Sequence, residues 1–224
     1  MPIDAPVGSD REARGMATWR IFMLIACVWL AVSAYTNERV LTPDVMAGVV
    51  GRTSGVEMSV AQLDQLHRQG RWAYLLLPAL LAIRVAVVAL ALQLFSMLMA
   101  HALPYREAFR AGLWGFGAVI YGTFVRMLRL DLLPAGALTR EELAVVPDSL
   151  AVFVSGAGER ATVLSAALGV LSLHDAFWIG IVTAYLHALA GLGRGTAFAV
   201  ALGAWLTTAL ARLGAQAFMI GILS

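Results

Sequence analysis

The stretch SLHDAFWIGIVTAYLHALAGLGRG, residues 172–195, decides how the rest of the chain is interpreted. It is apolar enough to lie in a bilayer, yet it contains two histidines and an aspartate and ends in three glycines around Arg194. A phosphate-binding loop would need a preceding strand and a fuller glycine pattern, and neither is present. We therefore interpret the glycines as a tight turn between two membrane helices.

Small residues recur at every fourth position on both sides of this turn. In lipid, helices associate through close backbone approach, which small residues at i and i+4 permit. The pattern predicts an antiparallel helical hairpin held by a helix-packing seam. The predicted seam consists of Ala176, Gly180, Ala184 and Ala188 in the first helix and Gly195, Ala199, Gly203, Thr207, Ala211 and Ala215 in the second.

The overall composition agrees with a membrane location. Of 224 residues, 60% are hydrophobic and 13% are charged, with a mean hydropathy of +0.80, whereas soluble domains average about 45–50% apolar and about 25% charged residues. The 16 basic residues are all arginines and are scattered, which argues against nucleic-acid binding. Lysine-free, arginine- and alanine-rich usage is typical of a GC-rich bacterial genome. The sequence predicts an all-α, polytopic transmembrane helical bundle in a bacterial inner membrane.

Five apolar segments are long enough to cross a bilayer, which takes about 20 residues each. The predicted spans are residues 18–35, 72–100, 109–127, 161–192 and 196–223. Residues 1–17 would form a cytoplasmic amino-terminal segment and residues 18–224 a single transmembrane domain. The first apolar segment also fits a secretory signal with a cleavage site, and cleavage would leave four spans.

The arginine density near the span ends favours an amino terminus inside and a carboxyl terminus outside. In that topology, residues 36–71 and 128–160 form two longer outer loops. Capping pairs at Ser59 with Gln62, and at Thr139 with Glu142, predict a short surface helix in each loop.

Two charged residues lie deep inside predicted spans. In the five-span topology the second and fourth spans run in the same direction, which places Arg84 and Asp175 at similar depths. An ionisable group inside a bilayer usually has a partner. We therefore expect an intramembrane Arg84–Asp175 ion pair, and we favour a structural tether over a proton or substrate site.

Three histidines, His101, His174 and His187, are candidate ligands for a haem, pigment or metal. His174 and His187 lie about 140° apart around one helix, so they do not share a face. A single site between His101 and His187 is conceivable, but isolated histidines are more often hydrogen-bonded in packing positions. We expect no cofactor and no metal. The sequence also lacks a nucleophile elbow and a His-Glu-x-x-His motif, and we expect no enzymatic activity.

Three stretches carry a family resemblance: YREAFRAGLW before the third span, LSLHDAFW in the fourth, and ALAGLGRGTAFAVALGAWL across the last hairpin. In these stretches the chain resembles bacterial members of the Yip1 family. The resemblance covers about residues 100–215 and includes the Leu173, Asp175 and Phe177 triplet, although Trp178 lies two residues before the position where the family's tryptophan is expected. The resemblance implies five spans and a cytoplasmic amino terminus, and it implies no agreed biochemical role for the bacterial members.

The leading functional hypothesis is a non-enzymatic scaffold or assembly partner in a membrane protein complex. Its expected partners are membrane lipids and other integral membrane proteins, and no nucleic acid. Two alternatives stay open: a small-solute or ion transporter component that uses Arg84 and Asp175, and a haem- or pigment-associated subunit of an electron-transfer or photosynthetic complex.

Overall fold

The computed structural model describes residues 9–40, 42, 45, 46, 62, 65, 68, 71–133, 149 and 172–223. Within these residues the chain forms five long α-helices and no strand, apart from one isolated antiparallel bridge between Ser149 and Ser172. The helices are α1 (Ser9–Tyr35), α2 (Ala73–Leu98), α3 (Tyr105–Leu132), α4 (Leu173–Ala188) and α5 (Arg194–Leu223). A π-helical turn, Thr36–Val40, follows α1.

Helices α2 to α5 form a four-helix arrangement, and α1 packs against its side. Helix α3 contacts α2 and α4, α5 contacts the same two helices, and α1 contacts α2 and α3. One end of the bundle holds the α2–α3 connection and the α4–α5 turn, and we call it the short-turn end. The opposite end, where α3 stops and α4 begins, is the long-loop end.

Four helical segments are long and apolar enough to cross a membrane. They are Ala17–Val40, Tyr74–Leu98, Tyr105–Leu132 and Arg194–Gly214. Each overlaps one of the predicted spans, and together they indicate a multi-pass membrane protein. Helix α1 begins already at Ser9, so part of the predicted amino-terminal segment belongs to the same continuous helix as the first span.

The predicted fourth span, residues 161–192, is not one continuous helix. Helix α4 begins at Leu173, because Ser172 has an extended backbone (φ −121°, ψ 159°) and caps the helix. Its 16 residues extend about 24 Å, which is less than the roughly 30 Å of a bilayer's hydrocarbon core. Residues 161–171 lie outside the described residues, as do most residues of the two predicted surface helices.

The core follows from heptad-like stripes on the helices. On α2 the buried positions are Leu81, Val85, Ala89, Leu92 and Ser96, spaced by three or four residues. Large apolar side chains on the opposite face, such as Ile83, Leu90 and Leu94, are exposed. Inward and outward faces that are both apolar are expected of a helix with protein on one side and lipid on the other.

The predicted packing seam is not the contact between α4 and α5. Ala176, Gly180, Ala184 and Ala188 are all exposed, and α4 buries the larger residues Trp178, Val182, Tyr185 and Leu186 instead. On α5, Gly195, Thr207 and Ala211 are exposed, Ala199 is half-buried, and Gly203 is buried against Phe95 of α2. The side chain of Ala215 lies outside the described residues.

The physical reason is the helical angle. Successive i, i+4 positions rotate by about 40°, so the α5 series from Gly195 to Ala211 turns through about 160° and cannot face one partner throughout. Besides Gly203, the described residues that α5 buries are Ala197, Val200, Ala201, Ala204, Trp205 and Ala209.

Besides Gly203, which lies against the Phe95 ring, the close helix approaches occur at glycines of α3. A Cβ added at Gly115 would lie 2.6 Å from Trp178 Nε1 and 2.8 Å from Val182, both on α4. A Cβ at Gly122 would lie 2.8 Å from the ring of His174, and one at Gly112 would lie 3.2 Å from Val88 of α2. Helix α3 therefore provides the small-residue surface on which α2 and α4 pack.

Candidate functional site

Asp175 is the centre of a polar cluster at the long-loop end, and the local sequence positions it. Ser172, Leu173, His174 and Asp175 form a capping box in which the Asp175 amide donates to Ser172 Oγ at 3.2 Å. The Ser172 hydroxyl in turn donates to Asp175 Oδ2 at 2.6 Å. A carboxylate in the first turn also interacts favourably with the helix dipole. These contacts fix the aspartate at the amino terminus of α4.

Asp175 pairs with an arginine of α5. Arg212 Nη2 lies 3.0 Å from Asp175 Oδ1, and the side chains are 38% and 9% exposed, respectively. The pair joins α4 to α5 at the end of the hairpin farthest from its turn. A nearly buried carboxylate with a charged hydrogen-bond partner is an interaction that holds two helices in register.

The expected Arg84–Asp175 ion pair does not form, and Arg212 occupies the predicted role of Arg84. Asp175 accepts from Arg212 at Oδ1 and from the Ser172 hydroxyl at Oδ2, so both of its carboxylate oxygens already have partners. Arg84, on α2, makes a different contact. Its guanidinium carbon stands 5.6 Å from the centroid of the Phe116 ring, and Arg84 still interacts electrostatically with both Asp175 and Arg212.

His174 completes this cluster. Its Nε2 atom lies 3.3 Å from Ser172 Oγ and 3.8 Å from Asp175 Oδ2. Its ring also lies against Gly122 of α3, where a larger residue would collide with it. The histidine therefore lies beside the carboxylate and between α3 and α4. The Asp175 cluster, as we call it, consists of Ser172, His174, Asp175 and Arg212, with Arg84 at its edge.

A second polar network lies at the short-turn end, and sequence reasoning missed it. Arg110 Nη1 donates to Glu107 Oε1 at 2.9 Å, and Arg110 Nε donates to Thr18 Oγ1 at 2.8 Å. Tyr185 donates its hydroxyl to Glu107 Oε2 at 2.8 Å. The network joins α1, α3 and α4. The i, i+3 spacing of Glu107 and Arg110 was the available signal.

A cleft of about 190 Å³ opens beside this network, between α1 and α4 on the surface of α3. Its polar lining comes from Thr18, Arg110 and Tyr185. The remaining wall is apolar and is formed by Ala17, Ile21, Leu113, Trp114 and Leu189. The polar groups of the lining are already hydrogen-bonded to one another or to Glu107.

The two other candidate histidines lie at the short-turn end, His187 in the last turn of α4 and His101 in the α2–α3 connection. His187 Nδ1 is 2.8 Å from the Leu192 carbonyl oxygen, while Arg194 Nε donates to His187 Nε2 at 3.3 Å. His187 therefore stabilises the α4–α5 turn. His101 Nδ1 lies 3.0 Å from the Met99 carbonyl oxygen within the α2–α3 connection. In the part of the chain that the structure describes, no three His, Cys, Asp or Glu side chains are grouped to hold a metal ion.

Comparisons of the chain with protein families, curated proteins and solved structures find no match. The resemblance to the Yip1 family therefore stays a prediction that rests on the residues quoted for it.

Proposed function

We propose that the chain is a non-enzymatic integral membrane protein that acts as a scaffold or assembly partner for other membrane helices. The supporting observation is the outward position of the small-residue row Ala176, Gly180, Ala184 and Ala188. At Gly180 and at Gly195 the space that a side chain would occupy is open to beyond 4 Å. Because these residues pack against no other helix in the described part of the chain, the row is available to a helix from another protein.

A partner helix can approach α4 closely only if the residues of this row are small, so enlarging one of them tests the proposal. Gly180→Leu adds bulk to the exposed row, whereas Gly117→Leu adds the same bulk to an exposed glycine of α3 that also has open space around it. Tagged wild-type protein extracted in mild detergent should migrate in native electrophoresis as a complex larger than one chain. We expect Gly180→Leu to release the single chain and Gly117→Leu to leave the complex intact.

Two results would contradict the proposal: a wild-type protein that migrates as a single chain, or complexes of equal size in both variants. Mass spectrometry of the excised complex then identifies its partners.

The finer architecture belongs to the same proposal. We place the chain in a bacterial inner membrane with five crossings, the amino terminus inside and the carboxyl terminus outside, in an arrangement similar to that of the Yip1 family. Helix α4 would be the additional crossing, since it packs between α3 and α5. Arginines Arg106, Arg110 and Arg194 at the short-turn end favour the inside for that end.

The two alternatives from the sequence stay predictions with direct tests. A transporter component is favoured by the charges of the Asp175 cluster, and flux into proteoliposomes that disappears in Asp175→Asn would support it. A haem or pigment subunit would have a visible absorption spectrum after purification.

A further inference from the structure

Arg84 lies where an arginine most needs a counterion. It is near the middle of α2, a helix of 26 residues in which it is the one charged residue. Arg84 is exposed, and among the described residues its side chain forms no ion pair or hydrogen bond; its guanidinium lies over the face of Phe116. Contact with an aromatic face compensates only part of the loss of hydration of a guanidinium in apolar surroundings.

Arg212 lies at the same level of the bundle. Phe95 of α2 packs on Gly203 of α5 and fixes the register of these two antiparallel helices. From that contact, Arg84 is about 17 Å away along α2 and Arg212 about 14 Å away along α5, both toward the long-loop end. The two arginines therefore agree in level to about 3 Å, and they interact electrostatically.

The local charges do not balance. Among the described residues of this cluster, two guanidinium groups share one carboxylate, and Asp175 already uses Oδ1 for Arg212 and Oδ2 for Ser172. Arg212 uses Nη2 for that pair, and its side chain is 38% exposed. Arg84 therefore faces the positive charge of Arg212 with all of its own N–H groups unused among the described residues. An added anion would relieve this repulsion and accept those hydrogen bonds.

We propose that Arg84 and Arg212 bind one oxyanion, a phosphate or carboxylate group, beside Asp175. The planar guanidinium fork matches the geometry of both groups and can donate two parallel hydrogen bonds to either. The oxyanion comes from an anionic lipid headgroup or from a free anion in solution. This site is separate from the small-residue row of α4 and does not depend on the proposed assembly role.

The test uses the full chain purified in a neutral detergent. The lipid probe is phosphatidylglycerol, compared with phosphatidylcholine, with bound lipid counted by native mass spectrometry. The free-anion probe is inorganic phosphate exchanged for chloride at constant ionic strength, with the thermal unfolding midpoint as the readout. Arg84→Gln removes the proposed ligand, and Arg20→Gln removes the same charge from an exposed position on α1 as the control.

We expect phosphatidylglycerol or phosphate to bind wild-type protein and Arg20→Gln equally, and to bind Arg84→Gln about tenfold more weakly or worse. Arg84→Lys keeps the positive charge but lacks the planar guanidinium fork, so its affinity for the anion should lie between those of wild-type protein and Arg84→Gln. Residual binding by this variant would show that the position tolerates substitution. Binding of the lipid alone assigns a headgroup site, and stabilisation by phosphate assigns a free-anion site. No binding to wild-type protein, or equal binding to Arg84→Gln, would overturn the proposal.

Discussion

The Asp175 side chain makes three interactions, and each one connects it to a different part of the bundle. Its bond with Ser172 is local and fixes where α4 starts, its pair with Arg212 joins α4 to α5, and its proximity to His174 places it against α3. The carboxylate is nearly buried, so a neutral replacement would leave the Arg212 guanidinium without its counterion in apolar surroundings.

Replacement of Asp175 by Asn should therefore destabilise the protein by about 3 kcal/mol, toward the low end for a broken buried pair because Arg212 is partly exposed. The measurement is unfolding in mixed micelles with increasing sodium dodecyl sulfate. Ser172→Ala removes the cap but keeps the ion pair, and should cost about 1 kcal/mol. If Asp175→Asn and Arg212→Gln have strictly additive effects in the double variant, the pair does not stabilise the bundle.

Helix α3 organises the bundle, because its small residues let α2 and α4 approach it closely. Apart from one adjacent pair, its buried small residues recur at spacings of three or four residues: Ala108, Ala111 with Gly112, Gly115, Ala118 and Gly122. Gly115 receives Trp178 and Val182 of α4, and Gly112 receives Val85 and Val88 of α2. The large residues thus come from α2 and α4, and the space for them comes from α3.

Alanine substitutions at two glycines of α3 test this role through the free energy of unfolding. Gly115→Ala introduces a Cβ against the Trp178 ring, and we expect a destabilisation of about 1–3 kcal/mol from overpacking. Gly117→Ala has nothing within 4 Å of the added carbon, so the higher helix propensity of alanine should stabilise the protein by up to about 1 kcal/mol. Opposite signs in the same unfolding assay are the expected result. Equal effects would show that contact with α4 does not explain the role of Gly115.

The helices that apolar length defines could be predicted from the sequence, but the contacts between them could not. The second and fifth spans agree with α2 and α5 to within about two residues at each end, because long apolar runs specify helices in a membrane. The start of α4 was missed although the capping box at Ser172 was visible. Which of two small-residue patterns is buried depends on how the helices are arranged around one another. The spacing of small residues along the sequence does not reveal that arrangement.

The two ends of the bundle differ in their polar contacts. The short-turn end is closed by Thr18, Glu107, Arg110 and Tyr185, which join three helices. At the long-loop end, Arg71 donates from Nε and Nη2 to the two carboxylate oxygens of Glu38, at 2.9 and 2.8 Å. If the chain crosses the membrane five times, these two ends face opposite compartments, and every connection has a defined side.

Single cysteines can assign those sides, because Cys27 is the one cysteine of the chain and Cys27→Ser provides a thiol-free background. We expect a membrane-impermeant thiol reagent to label Leu132→Cys, at the end of α3, in intact spheroplasts. Ala102→Cys, in the α2–α3 connection, should react only after permeabilisation.

Gly193→Cys, in the α4–α5 turn, distinguishes five membrane spans from four. With the proposed amino terminus inside, α3 ends outside. Residue 193 is then inside if α4 also crosses the membrane, and outside if only the four long apolar helices cross. Labelling of Ala102→Cys but not of Leu132→Cys in intact spheroplasts would show the opposite orientation. Arg106, Arg110 and Arg194 would then lie outside, against the positive-inside preference.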